Sequence, residues 1–157
     1  MKFFVLFIGL FITNPTTMVD INQVRNSYRY AKDSKDNTEK FFELTKKMNY
    51  AEDPVLTAYY GCSLTLKALY ADRTGDKISF FKQGKKMIEA AAISDPNNIE
   101  IRMIRLSVQS TAPRITRYYK NIDADKNYII QHIDNVSSPK LKDFIKGFMS
   151  ESEVFTE

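Results

Sequence analysis

The chain has 157 residues, of which only five are Gly and five Pro, too few for the many tight turns of an all-β sandwich or barrel. Hydrophobic residues at 43% and charged residues at 27% fit a globular domain and exclude wholesale disorder. A net charge of +4 is too mild for a nucleic-acid binder, and a single Cys with a single His excludes a disulfide framework and a Cys-based zinc site.

Residues 1–17 read as a signal peptide. Met1-Lys2 precedes an uninterrupted ten-residue apolar run, Phe3 to Ile12, and Asn14-Pro15 breaks the helix after it. Such a run matches the apolar region of a leader, about 7–15 residues, and is short of the about 20 needed to span a bilayer. The expectation is an exported protein, periplasmic or secreted, with no stable transmembrane segment after cleavage and one domain over residues 18–157. Lys2 leaves with the leader, so the net charge drops by one, from +4 to +3.

Helix start and stop signals divide the rest. Asp20 can cap a helix over 21–33, with Gln23 completing a capping box and Val24, Tyr28 and Ala31 on its apolar stripe. Lys32 to Thr38 reads as a polar turn. A second helix over 38–49 carries Phe41, Phe42, Leu44 and Met48. Asp53-Pro54 is a cap followed by Pro at the first helical position, opening a third helix that runs to Ala71. That helix has two apolar stripes: Val55, Tyr59, Cys62, Leu66 and Leu69, and Leu56, Tyr60, Leu64 and Ala68. It is therefore expected at the centre, with small Ala58, Gly61 and Ala68 admitting a close neighbour.

Arg73 to Asp76 reads as a turn whose Asp caps a fourth helix over 77–93. Phe80, Phe81, Gly84, Met87, Ile88 and Ala91 line one face, and Lys82, Lys85, Lys86 and Glu89 the other, with Lys85 and Glu89 spaced to pair. Asp95 to Asn98 separates it from a fifth helix, 99–111. At about 100° per residue, Ile99, Met103 and Leu106 fall opposite Ile101, Ile104 and Val108, so both sides are buried. The strip left between them carries Arg102, Arg105 and Gln109. A basic aromatic stretch, Arg114 to Lys120, follows Ala112-Pro113. Asp123 can cap a sixth helix over 124–135, and Ser138-Pro139 opens a seventh over 139–150.

Gly84, Ala91 seven residues on and Pro96 five further resemble the second helix of a tetratricopeptide (TPR) repeat and its exit. The resemblance spans residues 84–98. It implies antiparallel helical hairpins stacked as a short right-handed solenoid, and binding of peptides or partner proteins in a concave groove. A closed bundle is the alternative architecture. The leader together with D-P-V-L-T-A-Y-Y-G (53–61) and D-P-N-N-I-E-I-R-M-I-R-L-S-V-Q (95–109) is also similar to small exported bacterial helical proteins without an assigned role; that likeness supplies no active site.

The chain has no Gly-rich phosphate loop, no H-E-x-x-H and no nucleophile elbow. Cys62 on an apolar stripe is expected to be protonated and inert. Asn135-Val136-Ser137 matches a glycosylation sequon. No catalytic residue, metal ligand or cofactor is expected. Two features remain as candidate contacts to a partner or anion. Arg102, Arg105 and Gln109 either pair internally, with Glu100, Asp123, Asp125 or Glu89 as partners, or hold a carboxylate. Arg114, Arg117 and Tyr118 either pack on the core or meet acidic headgroups, glycans or a protein. The expected function is a non-enzymatic protein–protein interaction module; the alternative is a small-ligand or lipid carrier with a cavity near Tyr59, Tyr60 and Leu64.

Overall fold

A computed structural model of the chain describes residues 20–48 and 50–156. The expected leader lies outside the described residues. Among them, seven α-helices and three short 3-10 turns form the fold, and there is no strand. In chain order they are α1 Ile21–Tyr30, α2 Lys35–Lys46, α3 Pro54–Tyr70, α4 Thr74–Ser94, α5 Ile99–Thr111, α6 Ile122–His132 and α7 Pro139–Glu151, with 3-10 turns at Arg114–Thr116, Ile133–Asn135 and Glu153–Phe155. None of these helices is long and apolar enough to cross a membrane.

Local chemistry explains most of the helix starts. The Asp53 carboxylate accepts the amides of Val55 and Leu56, and Asn98 accepts those of Glu100 and Ile101. Asp20 and Ser138 cap α1 and α7 in the same way. Three starts differ from the sequence expectation. α2 begins at Lys35 because Ser34 accepts the Asn37 amide, and Thr38 lies inside the helix with its hydroxyl donating to the Ala31 carbonyl at 2.6 Å. α4 begins at Thr74 with Asp76 in its first turn, where an acid favours the helix dipole and pairs with Arg73 at 2.9 Å. α6 begins at Ile122 rather than after Asp123, because the Asn121 amide donates to Gln109 Oε1 at 3.1 Å, a partner on another helix.

α3 and α4 form the most extensive pairing, and α3 also packs on α2 and α5. α5 contacts α3, α4, α6 and α7. Ile101, Met103, Ile104 and Leu106 are fully buried, so both faces of α5 are covered as expected. α3 and α4 cross where Gly61 and Gly84 meet. A Cβ on Gly84 would stand 2.4 Å from the Gly61 carbonyl oxygen, and one on Gly61 would stand 2.8 Å from the Gly84 oxygen. The α3 stripe fails at its end: Leu69, expected in the core, is 59% exposed. Spacing places Leu69 on a stripe, but α4 covers the Gly61–Thr65 side of the helix and leaves that end uncovered.

Gly75 stands in the first turn of α4, and a Cβ there would meet nothing within 4 Å. Its φ is not positive. Gly75→Ala is therefore expected to stabilise by about 0.5 kcal/mol, through lower chain entropy when unfolded and better helix propensity. Urea unfolding reads this out; a loss of stability would mean that the first turn of α4 needs glycine.

Candidate functional site

The strip on α5 is the most heavily hydrogen-bonded part of the interior. Arg105 Nε donates to Asp125 Oδ2 at 2.7 Å and Nη2 donates to Oδ1 at 2.8 Å, a two-pronged fork onto a fully buried carboxylate. Arg105 Nη1 reaches Glu89 Oε2 at 3.4 Å. Arg102 Nη1 donates to Asp125 Oδ1 at 2.9 Å, and its Nε donates to the Pro96 carbonyl at 2.8 Å. Gln109 and Asn121 exchange two bonds, each donating one. Tyr118 is buried and its hydroxyl donates to Glu89 Oε1 at 2.7 Å. A carboxylate in this setting is tolerable only when its charge and lone pairs are matched, which the two guanidiniums accomplish.

Electrostatics follow the geometry. Burial lowers the Arg105 pKa, but the bonds and charge of Asp125 outweigh it and raise the net value, so Arg105 stays charged. Burial, then the bond and charge of Glu89, hold the Tyr118 phenol neutral far above its usual range. Glu89 is turned toward Arg105 and Tyr118; among the described residues it forms no ion pair with Lys85, the partner that spacing suggested. Lys85 instead places its ammonium 4.9 Å from the centre of the Tyr118 ring.

The structure thus joins four of the six candidate residues, Arg102, Arg105, Gln109 and Tyr118, in one network between α4, α5 and α6. Its partners include Asp125 and Glu89, two of the acids that internal pairing would use. Arg105 has no guanidinium edge left for a carboxylate ligand. Arg114 and Arg117 stand apart from the network, exposed in the segment after α5. Arg117 adopts a left-handed conformation, φ 51°, that closes the 3-10 turn. Tyr118 packs inward, its ring edge-on to Phe81 at 6.2 Å.

A second buried network went unread in the sequence. Arg25 Nε and Nη2 donate to the Glu100 carboxylate at 2.8 and 2.7 Å, and the Tyr59 hydroxyl donates to Glu100 Oε1 at 2.6 Å. Tyr28 donates to Ser107 Oγ at 2.8 Å. The bond to Glu100 raises the Arg25 pKa against burial, and burial followed by the Glu100 charge raises that of Tyr59. The one available signal was Glu100 itself, an acid flanked by two apolar residues on a helix with little exposed surface.

Cys62 is buried, and burial pushes its thiol up to about 12, against a smaller opposing contribution from Thr65. A raised acid pKa favours the neutral folded form. Its stabilisation is complete below the unfolded value, about 9, and is lost as pH climbs toward 12. Above pH 9 this thiol is expected to cost about 1.4 kcal/mol of stability per pH unit. Urea midpoints between pH 8 and 10 measure the slope, and Cys62→Ala should flatten it; an unchanged slope in the variant would assign the effect to the tyrosines.

Beside the first network opens a surface cleft of about 330 Å³ between the start of α5, the end of α6 and the start of α7. Tyr128 and His132 line part of it, and Arg102, which does not line the cleft, packs on the Tyr128 ring. The Arg102 guanidinium lies 4.1 Å from the centre of the Tyr128 ring, and the His132 ring lies 3.9 Å from it on a nearly parallel plane, 12° apart. Tyr128 donates its hydroxyl to the Asn97 carbonyl at 2.8 Å. His132 Nδ1 is 2.8 Å from the Tyr128 carbonyl, which can only accept, so the neutral ring carries its proton on Nδ1 and leaves Nε2 as an acceptor. Asn135, Ser137 and Ser138 also bring polar groups to the cleft, and Ile99, Val136 and Leu141 line it with apolar surface. Arg102 therefore ties this wall to Asp125 and Pro96. A second groove of about 290 Å³ on α1 and α2 is lined by Gln23, Asn26, Ser27, Tyr30, Asn37 and Lys40. Among the described residues no three His, Cys, Asp or Glu side chains gather as a metal site.

No protein-family model matches the chain, and neither a curated protein nor a solved structure matches it.

Proposed function

We propose that the protein is an exported, non-enzymatic protein–protein interaction module, built as a short TPR-like right-handed stack of helical hairpins, which takes an extended peptide segment of its partner in the cleft beside α5. The observation that carries this reading is the braced wall of that cleft. The wall residues Tyr128 and His132 stack on each other, Tyr128 is tied to the Asn97 carbonyl, and behind them Arg102, bonded to Asp125 and Pro96, packs on the Tyr128 ring. A preformed wall lowers the ordering cost of binding. Amide and hydroxyl groups in the lining suit the donors and acceptors of a peptide backbone, and Ile99, Val136 and Leu141 suit its apolar side chains. The close glycine crossing of α3 and α4 supports the hairpin stack.

The carrier reading is less well supported. Around Tyr59 and Tyr60, where that alternative needs a cavity, the space is taken by the rings of Tyr28, Phe41, Phe42 and Tyr50, in contacts of 4.3 to 6.3 Å between centroids.

A photo-crosslinking amino acid at Asn135, on the cleft rim, tests the proposal in the exported fraction of the source cells, with the same group at Lys47 as control. The expected result is a discrete protein adduct from position 135, absent at 47 and reduced by Tyr128→Ala. The same adducts from both positions, or none, would sink the cleft as the binding site.

A further inference from the structure

We propose that the outward face of α4, together with the segment Arg114 to Lys120, is a docking surface for an anionic lipid bilayer. The placement begins with Tyr118. Its ring packs against Phe81 and under Lys85, and its hydroxyl is fixed by Glu89, so this segment is seated along one edge of α4. The residues flanking Tyr118 are turned outward. Ile115 is 91% exposed at the 3-10 turn and Tyr119 is 54% exposed, with exposed Arg114, Arg117 and Lys120 around them.

The neighbouring face of α4 has the same character. At about 100° per residue, Ile78, Lys82, Lys85, Lys86 and Ile93 fall within an arc of about 100°. Ile78 is 50% and Ile93 79% exposed. The one acid in that arc, Glu89, is engaged by Arg105 and Tyr118. Asp123, exposed in the first turn of α6, is the nearest acid in sequence after Lys120. Four of the seven exposed large hydrophobic residues among the described residues therefore belong to α4 and to the segment that Tyr118 seats against it, together with six cations.

The arrangement decides between occupants. A second copy of the chain would bring two basic faces together, which charge opposes. A protein partner needs a contiguous apolar centre, with charge at its rim. Here Ile78 and Ile93 are about 22 Å apart along the helix, with lysines between them. Neither of the two clefts includes any of these residues. Separate apolar side chains ringed by cations match a fluid headgroup layer, where each Ile can enter the interface while Lys and Arg meet phosphates. Acidic soluble protein is the competing source of negative charge.

The test is co-sedimentation of the full chain with phosphatidylcholine vesicles, neutral or containing about a third phosphatidylglycerol. The apolar leader contributes to both vesicle types, so the ratio of anionic to neutral partitioning isolates the charged face. Each cation near such a surface contributes about fivefold. Arg114→Gln, Arg117→Asn and Lys120→Gln together are expected to lower the ratio about 100-fold; Asn at position 117 suits the left-handed backbone. The charge-matched control Lys32→Gln, Lys35→Gln and Lys47→Gln should keep most of the preference. Ile115→Asn, which leaves every charge in place, should weaken binding to both vesicle types. Circular dichroism melts verify folding of each variant. Equal partitioning of the parent chain into both vesicles overturns the proposal, as does an equal loss in the control. Binding to polyglutamate with no preference for anionic vesicles overturns it in favour of an acidic protein.

Discussion

Gly84→Ala is expected to lower the stability of the protein by about 3 kcal/mol, or about 10 °C in Tm. The added methyl group would stand 2.4 Å from the Gly61 carbonyl oxygen, 2.7 Å from Thr65 Cγ2 and 2.9 Å from the Thr65 amide nitrogen. Two of these three atoms are backbone, which cannot turn aside as a flexible side chain can. Alanine gains about 1 kcal/mol of helix propensity over glycine, too little to offset the overlap. The helices must therefore separate, and α3·α4 is the most extensive pairing in the fold. Gly61→Ala meets the same obstacle from the other side. Once one methyl group has opened the crossing the second costs less, so the double variant should lose less than the sum of the two singles. Thermal and urea unfolding of the three variants measure this. A Gly84→Ala midpoint within a degree or two of the parent would mean that α3 and α4 slide apart freely.

Asp125→Ala should destabilise by about 3–5 kcal/mol, because it leaves Arg105 and Arg102 facing a buried site without their counter-charge. Hydrophobic replacement of both principal partners is expected to recover much of the loss. Arg105→Met with Asp125→Leu removes the desolvated pair rather than half of it, and Arg102 keeps its bond to the Pro96 carbonyl. Equilibrium unfolding of the single and double variants decides the matter. A purely ligand-directed role for Arg105 predicts an unchanged midpoint for Asp125→Ala. If the double variant is as unstable as the single, packing around Asp125, not charge, is the dominant contribution. The double variant also tests the cleft, since Arg102 would then hold Tyr128 without help from Asp125.

Both predictions rest on features of which the sequence displayed one half. Gly61 and Gly84 were legible as small residues on apolar helices, and a close crossing followed from that alone. That they oppose each other, oxygen to Cα, required the observed pairing. Arg102 and Arg105 were legible as cations on a helix with too little exposed surface to solvate them, and Asp125 and Glu89 were among their possible partners. The Arg25–Glu100–Tyr59 network was not legible. Arg25 lies 75 residues from Glu100, on a short helix where an exposed arginine is the ordinary expectation. The cleft was equally hidden, because Asn97, Tyr128, His132 and Ser138 have unremarkable local surroundings and acquire meaning only where three helix ends meet.

Helix boundaries divide along the same line. Asp53-Pro54, Asn98 and Ser138-Pro139 act within a few residues of themselves, so the starts of α3, α5 and α7 follow from local hydrogen bonding. The start of α6 departs from the expected Asp123 cap because Gln109, on α5, takes the Asn121 amide. Leu69 shows the same limit for burial: helical spacing aligns it with Tyr59 and Cys62, but coverage depends on where the neighbouring helix lies.

The helical class, the caps that act locally, the two-sided burial of α5 and the small residues at the tightest crossing can all be read along the chain. Each depends on interactions within about one or two helical turns, where spacing fixes geometry. Which carboxylate receives which guanidinium, which face of α3 is covered, and where polar and aromatic side chains assemble into a cleft depend on how the helices pack. Those choices join groups 16 to 75 residues apart. Several acids carry the charge that a buried arginine requires, and long-range packing selects the one that comes within hydrogen-bond reach.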